Sequence, residues 1–331
     1  MLEDIEMDNC ALVTVIVPVY NHEDYVEKAL DSILMQKVDF KYLVYIGEDK
    51  STDHTREVLK KIQGKYPENF IFIYREVNYG MKNFYDLYER IESKYYIVLE
   101  GDDYWCDEHK LQIQVDFMEQ HPEYMVVTHN VNVVDDKSEP RAIDYPSIPE
   151  GEFNIRDFRE ERFPGHTSAK LFRHEFYETK KAYMERFPEL IKYPGDQIEA
   201  FLLAAHFRTF CMPEKMSCYR FVTDKGSSYS ANFVVNEKTI LSKIEFIRAN
   251  LCYAREHDCA GDIIKVCEQL YVCYTVKHRK VLGMSRSQMI KECLTVRYKL
   301  SSYGYTIWRM IKFVGRKLGT MLGIYSRAGK I

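Results

Sequence analysis

No stretch of this 331-residue chain reaches the roughly 18 uninterrupted apolar residues of a membrane-spanning helix. No Gly-x-Gly-x-x-Gly follows the first apolar run, so a dinucleotide oxidoreductase is disfavoured. A phosphate loop ending in Gly-Lys-Ser is also missing, which argues against ordinary nucleotide hydrolysis. The nine cysteines, an odd number without regular spacing, build no disulfide framework and point to a reducing compartment. Cys252, Cys259, Cys267 and Cys273 stand seven, eight and six residues apart, which fits no zinc knuckle; packing on helix faces is the expectation. Residues 1–10 are acidic and lack an apolar core, so they are not expected to act as a signal peptide. Acids are missing altogether from Arg297 to Ile331, where there are eight Lys or Arg; the rest of the chain carries 38 basic against 50 acidic residues. A basic tail on an acidic body points to an anionic partner for the tail. Nucleic acid is not expected, because the acidic body repels a phosphate backbone.

What is present is an ordinary globular composition, 46% hydrophobic and 29% charged, long enough to bury a sizeable core. The first hundred residues alternate in type. Continuous β-rich runs at Leu12–Val17 (closed by Pro18), Tyr42–Ile46, Phe70–Tyr74 and Tyr95–Leu99 are separated by helical patterns. Asn21 is the expected cap of the first helix, and Ser51 or Thr52 that of the second. Near-continuous apolar strands alternating with helices imply a parallel sheet covered on both faces. Beyond, residues 108–119 and 196–207 read as helices, 125–128 as a strand, 135–165 mostly as loop, and everything after about 231 as helix.

Sheets of this kind bind ligands past the carboxyl ends of their strands. Tyr20 and Asn21, Glu48 and Asp49, and Asp102 and Asp103 fall at three such ends. Adjacent carboxylates repel unless a cation sits beside them, and hard oxygen ligands suit Mg²⁺ or Mn²⁺ with a substrate phosphate. The plain alternative is a solvated Gly-Asp-Asp turn. Asp196 likewise reads in two ways, as a functional acid or as the cap of the helix it opens.

The blocks Thr14–Asn21, Ile46–Asp53 and Glu100–Asp103, followed by His121–Tyr124, His166–Ser168, Gly195–Gln197 and Met216–Arg220, together resemble the family 2 glycosyltransferases over roughly residues 12–230. The resemblance implies a GT-A fold: α/β, Rossmann-like, with a mostly parallel central sheet flanked by helices. It implies a catalytic domain over 1–230, with a nucleotide and metal half at about 12–115 and an acceptor half at 116–230. A helical extension with a basic amphipathic tail would fill 231–331.

The same resemblance implies site roles. Tyr20 stacks on the base, with Pro18, Asn21 and Glu23 beside the nucleotide. Asp49 accepts N3–H of uracil, Asp102 contacts ribose and helps the metal, and Asp103 is the principal ligand of Mn²⁺ or Mg²⁺. Asp196 is the general base for inverting attack by the acceptor hydroxyl, and Arg220 is a candidate diphosphate contact. The implied substrates are a nucleotide-sugar donor, UDP-linked before dTDP or GDP, and a saccharide or lipid-linked saccharide acceptor for cell-surface polysaccharide or glycoconjugate. A non-catalytic nucleotide-sugar-binding subunit is the alternative from another class. A nucleotidyltransferase would call for a basic glycine-rich loop that Pro18–Asn21 is not.

Three departures from the family pattern stand out. Glu100 and Lys50 replace a common aspartate and glycine, and Val222 stands where many relatives carry histidine. Neither Trp105 nor Trp308 sits in the Gln/Arg-x-x-Arg-Trp block of processive synthases, so single addition is expected. In the tail, Arg309, Lys312, Arg316 and Lys317 share a helical side against a broad apolar remainder. That pattern suits a helix lying on an anionic membrane surface, which gives a cytoplasmic enzyme peripheral on the inner face of the plasma membrane. The alternative is a terminal helix packed on its own domain with its basic side solvated.

Overall fold

The computed structural model describes residues 11–222 and 236–321. The expected tail positions Leu322, Arg327 and Lys330, and the side chains of Arg316, Lys317, Leu318 and Met321, lie outside the described residues. The described chain forms two compact units, neither of them continuous. The first takes residues 11–153, 162–182 and 207–222, and the second takes 154–161, 183–206 and 236–321. Asp196 belongs to the second unit, together with the C-terminal helices.

The first unit is built on one nine-stranded sheet. Strands β1 (Val13–Val19), β2 (Tyr42–Glu48), β3 (Phe70–Tyr74) and β4 (Tyr95–Val98) run parallel in the order β3-β2-β1-β4. They are joined through α1 (Val26–Leu34), α2 (Thr55–Ile62) and α3 (Met81–Tyr88). Every residue of β1 and β4 is buried, as a sheet covered on both faces requires. Past β4 the sheet becomes mixed. β8 (Leu171–Arg173) runs antiparallel to β4 and to β6 (Tyr124–Val134), which lies parallel to β9 (Arg208–Arg220). The two-residue strands β5 (Tyr104–Trp105) and β7 (Gly151–Glu152) both pair antiparallel with β9. Helix α4 (Lys110–Gln120) connects β5 to β6, and α6 (Glu175–Arg186) follows β8.

Several local expectations change. Pro18 does not close β1 but lies inside it, opposite Gly47. The carbonyls of Ile16 and Pro18 face β4, yet β1 pairs with β4 only as far as Ile16↔Val98. The missing N–H of Pro18 thus falls where no ladder bond is due. Asn21, Ser51 and Thr52 cap no helix: α1 and α2 open after Tyr25 and His54 without a side-chain cap. Their polar groups bind one another instead. The supposed loop 135–165 holds β7 and α5 (Ile155–Arg159), elements too short to show a period.

The second unit comprises α5, the end of α6, α7 (Gly195–His206), α8 (Glu237–Glu256), α9 (Gly261–Lys277), α10 (Arg286–Cys293) and α11 (Lys299–Met321). Its interior is aromatic. Phe158 packs on Phe201 with ring centroids 5.7 Å apart, Tyr193 on Phe246 at 4.4 Å, and Tyr183 on Tyr253 at 5.1 Å. Cys259, Cys267 and Cys273 pack inside as expected, whereas Cys252 is partly exposed with its thiol against Glu256 (3.2 Å).

Candidate active site

The loops after β1 and β2 are zippered together. Asn21 N–H donates to Ser51 Oγ (3.1 Å), His22 N–H to Thr55 Oγ1 (2.7 Å) and Glu23 N–H to Asp53 Oδ2 (3.3 Å). In return, Asn21 Oδ1 accepts from Thr52 N–H (2.8 Å), and the Glu23 carboxylate accepts from His54 N–H (2.9 Å). Asn21 and Glu23, expected beside the nucleotide, therefore shape the loop that carries Tyr20. Glu48 is wholly buried and bound to Arg56 and Ser51 N–H, a structural pairing. Lys50 has φ +57° and Asn21 φ +58°. Glycine takes that left-handed conformation freely, so Lys50 carries a modest local strain where the family commonly has glycine.

Asp49 is buried at the end of β2, with its carboxylate oxygens accepting from Tyr79 and Gly80 N–H (both 2.7 Å). Burial pushes its pKa up, and the two amide bonds oppose that rise. Each carboxylate oxygen can accept more than one hydrogen bond, so a base N–H remains a suitable further partner. Pro18 contributes its carbonyl, which accepts from Gly101 N–H (3.2 Å) and seats the acidic turn against β1. A Cβ at Gly101 would meet His22 Nδ1 at 2.7 Å, so a side chain there would force the His22 ring to shift.

Three carboxylates crowd the turn after β4. Asp103 is 2% exposed and accepts from Arg220 N–H through Oδ1 (2.9 Å), while Oδ2 is buried without a hydrogen-bond donor. Burial, then Asp102 and Glu100, drive its pKa well above the usual carboxylate range. Oδ2 faces His166 Nδ1 at 3.4 Å. Among the described residues, Glu100, Asp103 and His166 present ligand atoms all within 4.8 Å of one another. Burial holds His166 down at about 3, so its imidazole is neutral, the form that binds metal. Two hard carboxylates and one imidazole fit a divalent cation such as Mn²⁺, and an orphaned buried carboxylate oxygen is what such an ion would satisfy. Asp102, expected in the metal set, is outside this cluster; its carboxylate lies 3.9 Å from His22 Nε2.

His166 was legible as part of a sequence block but without a role. It arrives through long-range packing. Gly165 has φ +105°, and a Cβ there would stand 1.9 Å from Thr128 Oγ1, so only glycine lets the chain turn here. Tyr219 packs on the imidazole at 4.2 Å, and Trp105 Nε1–H donates to Ser168 O (3.0 Å), tying the turn after β4 to the segment 166–168.

Arg220 is 3% exposed. Its guanidinium donates to Asp102 O (2.9 Å), Asp135 O (2.7 Å), Asp136 O (3.0 Å) and Ser138 Oγ (3.1 Å), and it lies over the Tyr25 ring at 4.3 Å. The geometry makes it a clamp on the acidic turn. Arg220→Ala is expected to cost about 2–4 kcal/mol by leaving several carbonyls without a donor. Chemical denaturation checks this, and an unchanged midpoint would remove the clamp.

In the second unit Asp196 is the second residue of α7, its Oδ1 accepting from Gln197 N–H (2.7 Å). Lys243 lies close enough to Asp196 to feel its charge, and donates to Gln197 Oε1 (2.6 Å). Both readings of Asp196 therefore stand: it serves the first turn of α7, and its carboxylate lies near the Lys243 amine.

Comparison with known proteins fixes the family. The model of glycosyl transferase family 2 matches residues 14–179, half of the chain. An uncharacterized protein of Mycobacterium tuberculosis is 39% identical over 116 residues, covering 35% of this chain and 34% of that protein. A poly(ribitol-phosphate) beta-glucosyltransferase of Bacillus spizizenii is 33% identical over 97 residues, 28% of this chain and 15% of that protein. Both matches thus span well under half of those relatives. The fold is that of S. aureus TarS, solved with UDP-GlcNAc: TM-score 0.54 and 19% identity over 89% of this chain and 78% of that one. With strand-end acids, a mixed sheet of GT-A type and the family's own pattern over half its length, the chain belongs to the family 2 glycosyl transferases.

Proposed function

We propose that this glycosyltransferase is metal-dependent and inverting. In our reading it moves one sugar from a UDP-linked donor to a saccharide or lipid-linked saccharide acceptor during synthesis of a cell-surface polymer or glycoconjugate. The observation that carries this reading is the Glu100, Asp103 and His166 cluster, with its orphaned carboxylate oxygen. A UDP donor is supported by TarS, which holds UDP-GlcNAc in the same fold. It is supported also by Asp49, an acceptor suited to a base that presents N–H.

The residues divide the work by chemistry. Tyr20 and Asp49 would hold the base by stacking and by accepting its N–H; comparable base-aromatic contacts contribute about 1–3 kcal/mol. A divalent cation held by Asp103, Glu100 and His166 would offset negative charge developing on the departing diphosphate. Arg220 and Pro18 keep the acidic turn in place by hydrogen bonds to its backbone and to Asp103. Asp196 would take the proton of the acceptor hydroxyl as its oxygen attacks the anomeric carbon opposite the leaving group. A general base acts by being placed within hydrogen-bond reach of the proton it takes.

The test is a thermal-shift panel of UDP, dTDP, GDP and ADP, each with and without Mn²⁺. The expected result is stabilisation by UDP that needs Mn²⁺, reaching about 2.7 kcal/mol at a hundredfold excess over Kd. A shift of equal size with EDTA present would remove the metal from donor binding. Preference for GDP or ADP would overturn the uridine assignment.

A further inference from the structure

Helix α11 is inverted relative to an ordinary terminal helix. Within the second unit it buries Ser302, Tyr305 and Thr306, and Arg309 on the same side pairs with Glu161 at 3.6 Å. Its opposite side is apolar and open. Leu300 is 90% exposed, Ile307 59% and Ile311 66%, and their spacing sets them in one line along the helix. Trp308 and Met310 flank that line and are also exposed. Single exposed apolar side chains need no explanation, but a continuous stripe marks a surface that something covers.

The end of α10 lies along the same flank, since Tyr303 Oη donates to Cys293 O (3.0 Å). It adds exposed Ile290 and Leu294. Around these stand Arg286, Lys291, Arg297 and Lys299, all exposed. From Arg286 to Phe313 the chain has six basic residues and a single acid, Glu292. Arg309 and Lys312 pair with Glu161 and Glu160, while α10 and the turn before α11 supply the exposed charge.

We propose that this face of the second unit rests in the interface of an anionic lipid bilayer, with α11 in the membrane plane. Apolar residues in a line, bordered by Lys and Arg and by one Trp, match the interfacial zone, where the apolar side enters the acyl boundary and basic side chains reach the headgroups. Crossing is not the mode: among the described residues no helix is long and apolar enough to cross a membrane. A second copy of the chain is a poorer occupant. A self-complementary contact would gather the exposed cations of both copies around one apolar stripe with a single acid to offset them. The inference does not rest on the donor-site reading.

The experiment uses the full chain with vesicles of phosphatidylcholine alone or mixed with phosphatidylglycerol. Co-sedimentation is expected with the mixed vesicles only, weakening as salt rises. Brominated acyl chains are expected to quench Trp308, since Trp105 is buried in the first unit. Ile307→Ser with Ile311→Ser should lower the partition at least about tenfold, and Lys291→Gln with Lys299→Gln about fivefold per cation. These positions are exposed, so melting temperature and the UDP-dependent shift should not move; an intact UDP shift separates this test from that of the donor site. Absence of binding to mixed vesicles, or equal binding by the Ile307→Ser, Ile311→Ser variant, overturns the proposal. So does a concentration-dependent doubling of mass in light scattering that the same variant abolishes, which would assign the stripe to a second copy.

Discussion

Asp103→Asn is expected to lower kcat by about 10²–10³-fold, the scale on which losing one preorganised electrostatic group at a reacting oxyanion is felt. In EDTA it should melt at or above the wild-type temperature. The two readouts have separate physical causes. Asparagine keeps an oxygen to accept the 2.9 Å hydrogen bond from Arg220 N–H, so the backbone anchor survives. It removes a buried carboxyl whose ionised form is disfavoured by burial and by Asp102 and Glu100, so the metal-free fold gives up no favourable charge interaction. Turnover lost with stability kept or raised is the signature of a ligand held ready for a cation. Turnover kept with stability lowered would mean that Asp103 is only a brace for β9. Mn²⁺ titrated by thermal shift gives the third readout: the wild type should gain stability and the variant should not.

Asp196→Asn is expected to reduce transfer by about 10²–10⁴-fold, the usual contribution of a positioned general base, while the UDP-dependent thermal shift stays at its wild-type size. The amide is the informative replacement, because its oxygen can still accept from Gln197 N–H as Asp196 Oδ1 does at 2.7 Å. Alanine would also remove that local bond and cost about 1 kcal/mol at the start of α7, mixing a folding effect into the kinetics. Donor hydrolysis without acceptor provides a control, since water needs deprotonation too and should slow in parallel. Wild-type transfer rates in Asp196→Asn would leave Asp196 as a first-turn helix residue and nothing more.

The chain's own order of residues determined the first half of the sheet. Val13–Val19, Tyr42–Glu48, Phe70–Tyr74 and Tyr95–Val98 are contiguous apolar runs separated by helical periods, and such signals are local, so they can be read without a partner strand. The acids at the strand ends were legible for the same reason. What Asp49, Glu23, Asn21 and Arg220 bind was not. Those hydrogen bonds join residues 30 or more positions apart, from Asn21 to Ser51 and from Asp103 to Arg220, and no periodicity encodes them.

His166 joins Glu100 and Asp103 because β8 joins β4 and β6 antiparallel and because Gly165 alone fits beside Thr128. Two-residue strands such as Tyr104–Trp105 acquire their geometry only from the long β9 beside them. The tail shows the division most plainly. Sequence determined that the tail carries a helical pattern with basic and apolar sides, because helical spacing is local. Only the tertiary structure decided which side turns inward: Glu160 and Glu161 draw Lys312 and Arg309 toward the second unit, and that pairing leaves Leu300, Ile307 and Ile311 facing out.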